Sequence, residues 1–259
     1  MEPKFPLYTV AEEPGFEAGL LPTWTDIGAG TIQFNPTPEK PVTRREVTQV
    51  PGAFQLLNLL STQEVDQFVM LAEQAGFHAD APVSLPHTIR HNHNFNWVVS
   101  RDIDHTLWTR CHPHIPEIVQ GQKACGINAR FRFYRYQQGD YFSPHIDGSW
   151  PGSRVINGHL VTDAYPGRHS QYTFLIQLSE DFEGGRTQFY VDRDNPNQGS
   201  RSQADSELIS VSTPKGAVLC FPHGMHPQHC LHGSETIRKG TKYIIRTDIL
   251  FEHQETPPS

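Results

Sequence analysis

His145-Ile146-Asp147 sets an imidazole and a carboxylate two residues apart, and the histidine-rich run Phe221 to His232 can supply a second imidazole. Two histidines and one carboxylate can hold one face of an octahedral Fe(II), leaving the remaining positions open to small molecules. An H-x-D pair alone is a weak signal. Here it closes the run Arg130 to Pro144, and Lys242 follows the histidines as a cation that could seat an anion. The same donors could also hold zinc with an activated water, so they leave hydrolysis open beside oxidation.

These groups need a scaffold, and the pattern around them has period two. Ile127, Ala129, Phe131 and Phe133 share one face, while Asn128, Arg130, Arg132, Tyr134 and Tyr136 share the other, which predicts a strand. Further strands are predicted over 171–178, 186–191, 217–221 and 242–250, separated by turns such as Glu183-Gly184-Gly185 and Pro214-Lys215-Gly216. Helical spacing comes earlier. Ser61-Thr62-Gln63-Glu64 fits a capping box, Val65, Phe68, Val69, Ala72 and Ala75 follow on one face, and Gly76 can end the helix. A shorter helix is predicted near Asp104 and a further turn from Pro116. Helices followed by many short strands predict a mainly β protein with flanking helices, built on an antiparallel barrel or jelly roll. Residues 1–50 are rich in proline, glycine and threonine and predict an N-terminal extended arm, with one domain over 51–259.

Bulk composition bounds the function. The chain has 259 residues, a formal charge of −7 and a pI near 6.1, which argues against nucleic acid or an acidic membrane as the main partner. Four cysteines without a C-x-x-C pair predict reduced thiols and a cytoplasmic setting. The N-terminus lacks a secretory pattern, and no apolar run approaches the roughly 18–20 residues a membrane span requires. Oligomeric state is not legible.

The run Arg132 to Asp147, the segments Tyr172 to Leu178 and Phe182 to Phe189, and Leu231 to Leu250 together resemble the prolyl 4-hydroxylase-like Fe(II)/2-oxoglutarate-dependent dioxygenases, over about residues 55–251. The resemblance implies a double-stranded β-helix, a cupin-like jelly roll with the metal at its open end. It implies His145, Asp147 and His232 as iron ligands, with His232 preferred over His229 because Gly240 and Lys242 then fall at the family's spacing. Lys242 takes the place of the residue that pairs with the distal carboxylate of 2-oxoglutarate, and Tyr136 that of a tyrosine donating to the same cosubstrate. Fe(II), 2-oxoglutarate and O2 are the implied cofactors, with ascorbate as the candidate reductant. The implied reaction hydroxylates a C–H bond while 2-oxoglutarate is decarboxylated to succinate and CO2. Asp147 favours hydroxylation over halogenation, since related halogenases lack this carboxylate.

Peptide, protein and small-molecule substrates all fit this resemblance, with a peptidyl proline suggested by the family and a free amino acid or small metabolite as the alternative. A non-catalytic metal-binding jelly-roll module is the contrasting reading, and it has no need of Lys242 and Tyr136. Arg246, Arg132, Tyr134 and Trp150 are substrate candidates; Arg130 and Arg132 could meet an acidic group, and Arg246 could instead pair with Asp248. His223 and His226 are expected at the surface or beside the ligands, and His91, His93, His112 and His114 at the surface. The long segment 148–170 is expected to cover the iron as a lid.

Overall fold

The computed structural model describes residues 5–16, 19–80, 86 and 88–253. The chain runs through β1 (Leu7–Pro14), β2 (Leu20–Asp26), β3 (Thr43–Glu46), β4 (Phe54–Leu57), α1 (Thr62–Ala75), β5 (Arg90–His91), β6 (His93–Val98) and α2 (Arg101–Cys111). It continues with β7 (Ile118–Val119), β8 (Gln122–Ile127), β9 (Arg130–Tyr136), β10 (Tyr141–His145), β11 (Arg154–Ile156), β12 (His159–Val161), β13 (Arg168–Gln177) and β14 (Phe182–Gly184). It closes with β15 (Thr187–Asp192), β16 (Ser206–Val211), β17 (Val218–Pro222), β18 (His232–Ser234), β19 (Ile237–Gly240) and β20 (Lys242–His253).

Two sheets carry the architecture. The larger has the order β1-β2-β6-β9-β20-β13-β17-β4-β3, with β8 also on β20; the smaller has the order β16-β15-β18-β10-β5. Among the described residues every strand pair is antiparallel except β2 with β6. This is the jelly roll that the strand pattern predicts, a double-stranded β-helix with helices on one side. The alternation in β9 explains why. Phe131 and Phe133 leave the barrel and pack with Phe68 of α1 and Trp97 of β6, all buried. Tyr134 and Tyr136 turn inward and cluster with Ile237 and Ile244 between the sheets. The larger sheet therefore spends its apolar face on the helices and keeps a mixed face for the barrel interior.

The capping box forms as predicted. Ser61 Oγ accepts from Glu64 N at 3.2 Å, and Glu64 Oε2 accepts from Ser61 N at 2.8 Å. Glu64 also takes Arg110 of α2 at 2.8 Å, which ties the two helices together. Three expectations shift. α2 begins at Arg101, before Asp104, with Ser100 at its cap. The turn expected from Pro116 lies earlier, at His112–His114, because Pro113 supplies the fixed φ that starts it. Asn128 breaks the strand predicted through 127–136, since its Oδ1 accepts from Arg130 N at 3.2 Å and Ser153 N at 3.0 Å.

Within residues 1–50, β1 and β2 extend one end of the larger sheet and β3 borders the other through β4. Trp24 sits opposite Trp97 in the parallel β2–β6 pair. No helix among the described residues is long and apolar enough to cross a membrane.

Candidate metal centre

The pairing of β10 with β18 places His145 directly opposite His232. Gly233 permits this approach, since a Cβ there would lie 2.6 Å from the Phe142 carbonyl oxygen. Asp147 follows two residues after His145. One of its carboxylate oxygens lies 3.7 Å from His145 Nε2 and the other 3.4 Å from His232 Nε2. The three donor atoms fall within 4.8 Å of one another.

Both imidazoles are held in one tautomer. His145 Nδ1 donates to the Ser143 carbonyl at 2.9 Å, and His232 Nδ1 donates to the Cys230 carbonyl at 3.1 Å. A carbonyl only accepts, so each Nδ1 carries the proton and each Nε2 presents a lone pair toward Asp147. Burial, then the neighbouring His232, pulls His145 down to about 3, which keeps that imidazole neutral and ready to ligate. Burial opposes ionisation of Asp147. Arg246 and then His232 more than offset it, and the carboxyl stays well below its ordinary range.

A directed chain of hydrogen bonds orients the carboxylate. Thr173 Oγ1 donates to Asp147 Oδ2 at 2.8 Å and is 2.8 Å from His223 Nδ1. With its proton committed to Asp147, Thr173 must accept from His223. The other ring nitrogen, His223 Nε2, then accepts from Ser170 Oγ at 2.8 Å. Such outer partners fix ligand orientation. His223 is 1% exposed and His226 is 8% exposed, so the surface placement that sequence allows for them is corrected: both are interior groups. Burial lowers the pKa of each.

The donor set fits Fe(II): two neutral nitrogens and one anionic oxygen converge from one side onto a cavity. Tyr136, Phe142, Leu175, Thr187, Lys242 and Arg246 help line that cavity. Lys242 and Tyr136 are paired neighbours on β20 and β9, with the ammonium 5.4 Å from the ring centroid. Lys242 is 2% exposed; its Nζ donates to the Gly185 carbonyl at 2.5 Å and lies 3.4 Å from Ser234 Oγ. Burial pulls it down to about 8. No carboxylate among the described residues lies within ion-pair distance of it. Burial likewise pushes the Tyr136 phenol up, so it remains a donor.

Of the four substrate candidates, Tyr134 and Arg246 line the cavity, while Arg132 and Trp150 do not. Tyr134 lines the cavity, and Arg90, 8% exposed, stands over its ring at 5.5 Å. Arg246 lies 3.4 Å from Asp147 and 3.1 Å from Asp248. Arg132 lies beneath Trp150, 5.1 Å from the ring centroid. The lid expected from residues 148–170 is corrected, because none of them lines the cavity. Past Trp150 the segment folds into the β11–β12 hairpin, pinned to α2 by Arg154 and Asp104 at 2.6 Å. His91 pairs with Asp140 at 2.5 Å and takes no part in the metal cluster. Sequence reasoning missed Thr173, Thr187 and the bridging role of Asp248. For the two threonines the only signal is strand alternation, which names a face without naming a partner; for Asp248 the pairing with Arg246 was open in the sequence and the second partner, Arg132, was not.

Comparison with known proteins agrees with this geometry. Residues 131–247 match the model of the 2OG-Fe(II) oxygenase superfamily. No curated protein matches the chain. Among solved structures, the fold is similar to a prolyl hydroxylase from Trichoplax adhaerens in complex with a hypoxia inducible factor oxygen degradation domain peptide fragment. That pair is 16% identical, with a TM-score of 0.51 over 79% of this chain and 84% of the other. A prolyl-4-hydroxylase from Pseudomonas putida is 12% identical with a TM-score of 0.48, over 79% of this chain and 94% of its own. HygX from Streptomyces hygroscopicus, solved with nickel and 2-oxoglutarate bound, is 13% identical with a TM-score of 0.47, over 81% of this chain and 85% of its own. The jelly roll is the fold that these structures share with the chain. Residues 131–247 are thus similar to the 2OG-Fe(II) oxygenase superfamily, and this match, with the His145–Asp147–His232 cluster, supports Fe(II), 2-oxoglutarate and O2 as cofactors.

Proposed function

We propose that this oxygenase is a hydroxylase in which His145, Asp147 and His232 hold the iron while Lys242 and Tyr136 anchor 2-oxoglutarate. When bound, the iron supplies the oxidation that turns 2-oxoglutarate and O2 into succinate and CO2 and places one oxygen atom into a substrate C–H bond. The protein's own groups supply positioning. The two Nδ1–H bonds aim the imidazoles, Thr173 orients Asp147, and Lys242 offers a buried ammonium to the distal carboxylate. That contact is worth on the order of 1.5–3 kcal/mol. Tyr134 and Phe142 keep the reacting face apolar and dry.

One observation carries the reading. A metal-ready His145–Asp147–His232 cluster shares its cavity with a buried lysine that has no carboxylate partner among the described residues, and a metal scaffold or a hydrolase has no use for that lysine. The substrate side is assigned to Arg246, Arg132, Tyr134 and Trp150. All four cysteines are free, which supports the cytoplasmic placement. Anaerobic addition of Fe(II) and 2-oxoglutarate to the folded protein should produce the weak visible charge-transfer band of the chelate. A folded preparation that binds neither would remove the proposal. Ascorbate dependence is tested by the number of turnovers completed before inactivation.

A further inference from the structure

The inward face of the larger sheet carries more positive charge than the structure neutralises. Arg130 is fully engaged, bidentate to Glu13 at 3.0 and 2.6 Å. Its neighbours are not. Asp248 is wholly buried and stands between two guanidiniums, 3.1 Å from Arg246 Nη2 and 3.6 Å from Arg132 Nη1. Neither contact has hydrogen-bond geometry. Arg132 Nη1, together with Nε and Nη2 of Arg246, is buried without a hydrogen-bond acceptor, and both Asp248 oxygens also lack one. Arg246 is 7% exposed and lines the cavity, so its free Nε and Nη2 are interior donors beside enclosed space, and Arg132 stands directly opposite it in the β9–β20 pair.

Charge counting sharpens the point. The other nearby carboxylate, Asp147, is committed to the metal in the proposed function, on which this inference rests. One carboxylate, Asp248, then serves two guanidiniums. A guanidinium presents five donors in a fork that matches a carboxylate, and burying one without acceptors is costly. Position separates this seat from that of the cosubstrate. Lys242 and Arg246 share a face of β20 four residues apart, about 13 Å at strand rise. The cavity therefore has a cation at each end. Trp150 lies flat over the Arg132 guanidinium, 5.1 Å from the ring centroid.

We infer that Arg132 and Arg246 seat a carboxylate of the substrate, so the substrate is a small carboxylic acid or a peptide presenting its C-terminus, and not an internal residue of a neutral chain. The carboxylate docks between the two guanidiniums against Trp150 and holds the reacting carbon toward the metal.

The test is a panel of the protein amino acids and short prolyl peptides, each as free acid and as carboxamide. Two readouts apply to the anaerobic Fe(II)–2-oxoglutarate protein: displacement of its visible band on adding each compound, and succinate release once air is admitted. At least one acid should perturb the band and raise succinate tenfold or more over its amide. That preference should collapse in Arg132→Gln and be partly kept in Arg132→Lys. Equal response to acids and amides across the panel overturns the inference. So does an Arg132→Gln protein that keeps the acid preference but needs about tenfold more 2-oxoglutarate, since the guanidiniums would then hold the cosubstrate. Absence of any band in folded wild-type protein instead removes the iron and 2-oxoglutarate reading itself.

Discussion

Lys242 is the residue whose removal reads out most selectively. In the proposed function its ammonium meets the cosubstrate and not the metal, so Lys242→Ala should raise the 2-oxoglutarate concentration needed for half-saturation by about 10- to 150-fold, the equivalent of the charge-assisted contact. Chelate titration measures this, and an unchanged requirement would remove Lys242 as the anchor. The pH dependence has a definite sign. Burial lowers this lysine to about 8, so the free protein loses the charge as pH rises through that value. Cosubstrate affinity should hold below pH 8 and weaken by up to about tenfold per unit above it. Thr173 tests orientation separately from ligation. Thr173→Val keeps the shape but deletes the donor to Asp147 and the acceptor for His223, and iron affinity should drop by about 10- to 100-fold in a metal-competition titration.

Between elements, the decisive contact is β10 against β18. The strands meet closely enough to face His145 toward His232 because residue 233 has no side chain. Gly233→Ala would force the added methyl against the Phe142 carbonyl, separating the two imidazoles. Iron binding should fall by at least tenfold while far-UV circular dichroism keeps its β signature. The helix start offers a contrast, because it bears on stability alone. Ser61→Ala removes the cap on α1 and should cost about 1 kcal/mol in denaturant unfolding. Iron affinity of the surviving folded fraction should stay put, as α1 packs on the face of the larger sheet turned away from the barrel.

Across the whole molecule, buried neutral histidines make the metal-free protein acid-sensitive. His145 sits at about 3 and His229 at about 4, both lowered first by burial, and His223 and His226 are lowered too. The unfolded chain binds protons near pH 6.5 that these folded positions refuse. Stability is therefore full above that pH and drains as pH falls toward the folded values, at up to about 1.4 kcal/mol per unit for each histidine. Thermal melts in chelator from pH 7.5 to 4.5 should show a steep decline beginning near 6.5. A flat profile would mean these rings are protonated in the fold.

How much was readable beforehand follows from the range of each interaction. His145, Asp147 and Tyr136 were legible because local spacing and strand alternation fix which face each side chain takes. The capping box was legible because it closes within four residues. The strands β1 and β2 were not, because the pair joins the sheet only where β2 meets β6, some seventy positions away, and that contact leaves no local period. Nor was the pinned hairpin at residues 154–161, whose anchor Asp104 lies on a helix fifty residues earlier. By itself the sequence determined a set of metal-competent donors, a lysine after them and a β-rich scaffold, since these reside in residue type and short spacing, while the cosubstrate role of that lysine is what the family resemblance implies. Tertiary structure alone decided the facing of the two imidazoles, the Ser170–His223–Thr173 chain behind Asp147, and the sharing of Asp248 by two arginines. Each of those depends on register between strands distant in the chain, and register is set by packing of the assembled barrel.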